Sequence, residues 1–267
     1  MAILESANLH DTAAITVVKK THTNGNTSET ERQIQTATNI NFIDALMKSR
    51  YSCRYYLPNP VPKHIVEEII DAARFAPSGN NMQPWHKVYC LAGPTKDAVC
   101  KAILSAHTQD PTKHQSQYRY NPAPDVLPDI YAERRSDSGK VYYGSLGIPK
   151  EDKEGRAMAS DRNYEFYGAP VAFVFTIHKD LTQGSWLDVG YFIQSIHIAS
   201  AARGLGSISQ ESISQYHTIF RQYLPVSDDE IVVLGMAMGY PDLDKVNKYV
   251  ARQPKREVWE IVDFHGF

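Results

Sequence analysis

The chain lacks most of the features that announce an enzyme's chemistry. Its three cysteines, Cys53, Cys90 and Cys100, stand too far apart for a Cys-x-x-Cys site and are too few for a disulfide framework. They read as idle or buried thiols, which suits a reducing cytoplasm. Charge of one sign is missing as well. With 28 basic residues against 30 acidic ones, no global field favours nucleic acid or an anionic membrane as a partner. No apolar run approaches the roughly 20 residues that span a bilayer. His-Glu-x-x-His, P-loop and Gly-x-Ser-x-Gly patterns are absent, and the ten histidines show no ligand-like spacing. Zinc and hydrolytic chemistry are therefore disfavoured.

What the chain does have is enough apolar material for one sizeable core, 42% of 267 residues. Residues 1–41 are polar and rich in Thr and Asn, without a secretory signal's apolar run or a transit peptide's scarcity of acids. They read as a disordered extension, in which 14–18 (Ala-Ile-Thr-Val-Val) can add to a neighbouring surface. Residues 42–267 read as the folded domain.

Within that domain the most informative stretch is Ala76-Pro77-Ser78-Gly79-Asn80-Asn81-Met82-Gln83-Pro84-Trp85. An amphipathic helix over 61–75 precedes it, with Ile65, Ile69, Ala72 and Ala76 at helical spacing and Pro62 suited to the first turn. A strand over 86–92 follows it. A stiff, polar helix-to-strand connection of this kind is suited to holding a planar polar ligand.

A second signal stands upstream. After a short helix over 42–48, Ser49-Arg50-Tyr51-Ser52-Cys53-Arg54 offers two guanidinium forks and a hydroxyl, which match a phosphate monoester. A solvated basic helix end explains the same residues. Later, 169–177 is a continuous apolar run that reads as a buried strand. A helix over 185–203 has apolar residues around its whole circumference and must be covered on all sides. Gly204-Leu205-Gly206-Ser207 follows a helix and precedes a strand, the reverse of a dinucleotide fingerprint. Gly204 reads as a helix terminator, and Gly206 as a point where backbone approaches a flat ligand. Between these parts, a helix over 95–107 leads into a long excursion, 109–146, carrying Tyr118, Tyr120, Tyr131, Tyr142 and Tyr143. It is either a lid over the substrate or a structural insertion.

Taken together, Arg50-Tyr51-Ser52-Cys53-Arg54-Tyr55-Tyr56, Pro60-Val61-Pro62, the segment 73–85, Tyr167-Gly168-Ala169-Pro170-Val171, the helix end 202–207, Gly235-Met236-Ala237-Met238-Gly239-Tyr240-Pro241 and the basic pair Lys255-Arg256 resemble the FMN-dependent nitroreductase family. The resemblance covers roughly residues 42 to 267. The chain departs from the family's usual pattern at Tyr51 and at Glu257-Val258.

The resemblance implies an α+β fold with a central mixed, mainly antiparallel sheet flanked by helices. It also implies a homodimer with FMN at the interface, and a C-terminal arm after Pro241 that reaches the partner. Arg50, Tyr51, Ser52, Arg54, Lys255 and Arg256 would hold the phosphate and ribityl end. Pro77, Ser78, Asn81 and Gln83 would flank the ring and its polar edge, and Gly206, Ser207, Gln210 and Glu211 would lie along the ring. No side chain is required as a nucleophile, because the flavin would take hydride from NADH or NADPH and pass it on. Nitroaromatics, quinones or other electron-poor small molecules would accept it in ping-pong fashion. Reductive dehalogenation and flavin fragmentation are the alternatives within the superfamily. Flavin storage or sensing without turnover is the alternative outside catalysis.

Overall fold

A computed structural model describes residues 29–267, with side chains from residue 39 onward. The chain divides into two units, residues 1–43 and 44–267. Of the expected extension, residues 1–28 lie outside the described residues. Residues 29–41, by contrast, are helical: α1 (Glu29–Ser49) begins well before the expected boundary at 42. The segment 26–57 contains neither Gly nor Pro, so nothing interrupts propagation of a helix once it has started.

In the second unit, α2 (Lys63–Ala73) starts directly after Pro62 and buries Val66, Ile69 and Ala73, a face turned one position from the expected stripe. β1 (Trp85–Ala92) and α3 (Gly93–Gln109) follow. The expected aromatic loop contains a 17-residue helix, α4 (Asp129–Ser145), which buries none of its residues. Its polarity on every side hid it from periodicity, since no apolar stripe marks the sequence. Next come α5 (Lys153–Asp161), β2 (Val171–His178), α6 (Gln183–Ala201), β3 (Gly206–Gln210), α7 (His217–Tyr223), β4 (Glu230–Gly239) and α8 (Leu243–Tyr249).

The four strands form one sheet in the order β1-β2-β4-β3, each pair antiparallel. β2 lies at the centre and is buried on both faces, as its unbroken apolar run requires. Alternate residues feed two cores. Ala172 and Val174 join Leu91, Ile103, Phe166, Ile213, Tyr216 and Phe220 on one face. Val171, Phe173, Phe175 and Ile177 join Ile69 of α2 and Phe192 and Ile196 of α6 on the other. α6 ends where expected: Gly204 takes φ +72°, and the Leu205 N–H reaches back to the Ser200 carbonyl at 3.0 Å.

β3 also has a neighbour on its outer edge. Ser52 pairs with Ser207 in a parallel bridge, and the Cys53 N–H donates to the Ser207 carbonyl at 3.2 Å. This bridge supplies the parallel component of the mixed sheet and fixes the Arg50–Arg54 segment against the sheet edge. It also gives Gly206 a packing role. A Cβ there would lie 2.6 Å from Cys53 Sγ and 2.7 Å from its Cβ, so what the glycine makes room for is the fully buried Cys53. Gly206→Ala is expected to cost about 1–3 kcal/mol in chemical denaturation, as overpacking does. Cys53→Gly in the same chain should recover most of the loss, and a Gly206→Ala protein as stable as the parent would contradict the packing.

Candidate functional site

α1 ends at Ser49, and the chain then turns along β3, so residues 50–54 emerge beside the helix's last carbonyls. Those carbonyls need donors, and the C-terminal segment provides them. Arg252 donates from Nη2 to the Ser49 carbonyl at 2.6 Å and from Nη1 to the Arg50 carbonyl at 3.1 Å, while its guanidinium lies over the Tyr51 ring at 5.0 Å. α4 is tied to the same segment: Ser145 Oγ donates to the Tyr249 carbonyl at 2.8 Å, and Gln253 Nε2 to the Ser138 carbonyl at 3.2 Å.

Between these three pieces opens a cleft of about 1110 Å³. Lys48, Arg50, Arg54, Arg135, Arg252 and Lys255 line it, with Ser52, Tyr51 and Tyr142 beside them. Asp44 is the acidic residue of the lining and pairs with Lys48 at 3.6 Å. Among the described residues, none of the other five cations has a carboxylate within 4.0 Å. Arg54 is the most exposed to this deficit chemically. Its Nε is buried with no hydrogen-bond partner, and Nη1 reaches only its neighbour's Ser52 carbonyl, at 3.5 Å. A buried, unpaired donor on a charged group is costly, and an anion in the cleft would relieve it. A phosphate monoester fits that donor set in charge and geometry.

The residues expected from sequence divide accordingly. Arg50, Tyr51, Ser52, Arg54 and Lys255 line the cleft. Arg256 does not, so of the two tail cations only Lys255 faces this space. Pro77, Ser78, Asn81 and Gln83 are outside the cleft lining, on the connection between α2 and β1. That connection is strained: Asn80, Asn81 and Gln83 take φ of 51°, 55° and 49°. Ser78 Oγ accepts the Gln83 N–H at 3.0 Å, and the Gly79 N–H donates to Asp188 of α6 at 3.0 Å. These bonds consume Ser78 but leave the amide of Asn81 exposed.

The β3 residues are also outside the cleft lining, and their side chains make hydrogen bonds of their own, although Gln210 Oε1 is buried without a partner. Ser207 Oγ lies 2.7 Å from His197 Nδ1, and Gln210 Nε2 donates to the Asn163 carbonyl at 2.6 Å. Glu211 is half-buried, and desolvation raises its carboxyl above the ordinary value. His197 is a buried group that spacing arguments had passed over. Its two ring nitrogens meet Ser207 and Ser209, and burial together with the Arg50 charge lowers its pKa to about 4.

Arg135 and Arg252 were likewise missed. The signal for Arg252 was present in the basic run Arg252-Gln253-Pro254-Lys255-Arg256, of which only the last pair was counted. Among the described residues no group of acidic, His and Cys side chains is placed to hold a metal ion, and no helix is long and apolar enough to cross a membrane.

The profile of the Nitroreductase family matches residues 47–240. The chain belongs to the nitroreductase family. It is similar to 4-nitrobenzoate reductase of Pseudomonas putida, 36% identical over 84% of this chain and 96% of the relative. It is also similar to nitrobenzene nitroreductase of Ectopseudomonas oleovorans, 34% identical over 85% of this chain and 96% of the relative. In three dimensions it resembles the FMN and NADPH-dependent nitroreductase NfnB from sphigopyxis sp. strain HMH, with a TM-score of 0.79 at 30% identity over 84% of this chain and 99% of that one. The family match begins inside α1 and takes in the whole sheet, so the cation-lined segment 50–54 and the 77–83 connection both fall within it.

Proposed function

We propose that this nitroreductase-family chain is an FMN-dependent oxidoreductase that uses NADH or NADPH to reduce nitroaromatics and similar electron-poor small molecules. The observation that carries the reading is the Arg54 guanidinium, with its Nε unpartnered, in a cleft where five of the six cations have no carboxylate within 4.0 Å among the described residues. Arg50, Ser52, Arg54 and Lys255 hold the FMN phosphate there, and Arg252 keeps the Ser49 and Arg50 carbonyls from opposing it. When bound, the flavin supplies hydride acceptance from a nicotinamide and hydride delivery to the acceptor. The chain's part is to bind and orient it. The amides of Asn81 and Gln83 and the Glu211 segment offer hydrogen bonds to its polar edge, where fixed dipoles stabilise charge that develops during reduction.

The chain acts as a homodimer with FMN at the interface. Two observations support this. The phosphate cleft and the 77–83 connection do not share one space in a single chain, whereas a two-fold partner brings its own connection to the first chain's cleft. Large apolar side chains also remain exposed: Phe75 (74%) beside the connection, Leu187 and Tyr191 one turn apart on α6, and Val258, Trp259 (75%), Ile261 and Phe264 on the C-terminal arm. α6 is thus covered on one side only, and its open stripe is the place for the partner. The free cysteines, two of them buried, accord with a reducing cytoplasm.

Purified protein is expected to be yellow, to sediment at twice the chain's mass, to bleach anaerobically with NADH or NADPH, and to recolour on adding 4-nitrobenzoate or nitrobenzene. Bleaching without recolouring would point to storage or another acceptor. Colourless protein that leaves added FMN unbound at ~10 μM would defeat the reading.

A further inference from the structure

The Arg54 guanidinium has no carboxylate to orient it, yet it occupies a defined place in the cleft. Two aromatic rings hold it. It lies over Tyr142 of α4 at 4.5 Å from the ring centroid and 5.9 Å from that of Tyr167. Tyr167 is buried, and its hydroxyl is anchored on Asn163 at 2.9 Å, so this ring is part of the rigid frame. Tyr142 belongs to a helix with no buried residue, attached by Ser145, Gln253, the Arg54 stack and the Arg156 guanidinium over Tyr143 at 3.9 Å. The Tyr142 ring therefore serves two ends at once: it seats α4 on the cleft wall, and it fixes the plane of the arginine fork. A cation over an aromatic face is attracted without its in-plane donors being used by the ring, so the plane is held while the guanidinium edge that lines the cleft stays available to an anion.

We infer that Tyr142 is a positioning residue for Arg54, and that α4 thereby sets how strongly the cleft prefers a phosphorylated flavin over an unphosphorylated one. This rests on the proposed FMN reading. It assigns the 109–146 excursion a role at the phosphate end of the cofactor, through the ring of Tyr142.

The test is a set of flavin titrations of apoprotein, followed by flavin fluorescence, with FMN and with riboflavin. Tyr142→Leu is expected to weaken FMN about tenfold while riboflavin changes less than about twofold. Tyr142→Phe, which keeps the ring face, should retain the parent's ratio. In an Arg54→Ala background, Tyr142→Leu should have no further effect on the FMN-to-riboflavin ratio, because the group it positions is gone. An unchanged ratio in Tyr142→Leu overturns the inference. So does equal weakening of both flavins, or an additive loss in the double variant, since either marks a role in seating α4 alone. If the parent protein and Arg54→Ala both bind the two flavins alike, it is the phosphate-cleft reading that fails.

Discussion

Arg54→Ala is expected to weaken FMN about a hundredfold and to leave riboflavin nearly untouched. Losing a hydrogen-bonded charge pair with a ligand phosphate costs about 1.5–3 kcal/mol, and each 1.4 kcal/mol is a factor of ten. Several facts place Arg54 at the upper end of that range. Its Nε is buried without a partner, and no carboxylate competes for the fork. Its backbone carbonyl is also fixed, accepting from Arg162 Nη2 at 2.6 Å, so little ordering is left to be done on binding. Arg54→Lys should recover only part of the loss, because an ammonium lacks the planar fork. Riboflavin is the decisive control: a comparable drop for both flavins would mean that the substitution had damaged the frame and that Arg54 does not meet a phosphate.

The second large effect is a loss of stability in mild acid, centred on His197. The ring is buried and accepts or donates only to Ser207 and Ser209, and Arg50 stands close enough to disfavour a second positive charge. Its pKa falls from 6.5 to about 4, first through desolvation and then through Arg50. Above pH 6.5 both folded and unfolded chains carry a neutral ring, and His197 contributes no pH dependence. Between 6.5 and about 4 the unfolded chain takes up the proton and the folded chain does not, so stability declines as pH falls through this window. One proton corresponds to about 1.4 kcal/mol per pH unit, and the whole window to about 3 kcal/mol. His217, whose pKa is also lowered by burial, adds in the same direction. Urea unfolding at a series of pH values checks this. His197→Asn should reduce the slope between pH 6.5 and 4.5 by about one proton, whatever it does to stability at pH 7. An unchanged slope would show that His197 titrates normally in the folded chain. Because Ser207 also bridges to Ser52, the same acid range should loosen the edge that carries the phosphate cleft.

Parts of this arrangement were legible before any coordinates. The strand expected over 169–177 and found at Val171–His178, and the helix expected over 185–203 and found at Gln183–Ala201, declare themselves, because burial on both faces or apolar residues around the whole circumference write a continuous apolar run. The helix end at Gly204 was equally plain, since a left-handed residue there favours glycine. α4 was not legible: with no buried face it leaves no periodic mark, and it is held by stacks and single hydrogen bonds. The packing of Cys53 against Gly206 was not legible either, because nothing local reveals that the two will meet.

The sequence alone, then, determined the family, the buried strand near 172 and the identity of the segment at 50–54, all of which depend on local pattern and residue type. Only the tertiary structure decided that Arg252, Arg135 and Tyr142 converge on that segment, that Lys255 and not Arg256 faces the cleft, and that the 77–83 connection stands apart from it. The physical reason is that charge and hydrogen-bond pairing act through space: whether an arginine caps a helix, stacks on a ring or waits unpaired for an anion depends on groups brought together from distant parts of the chain.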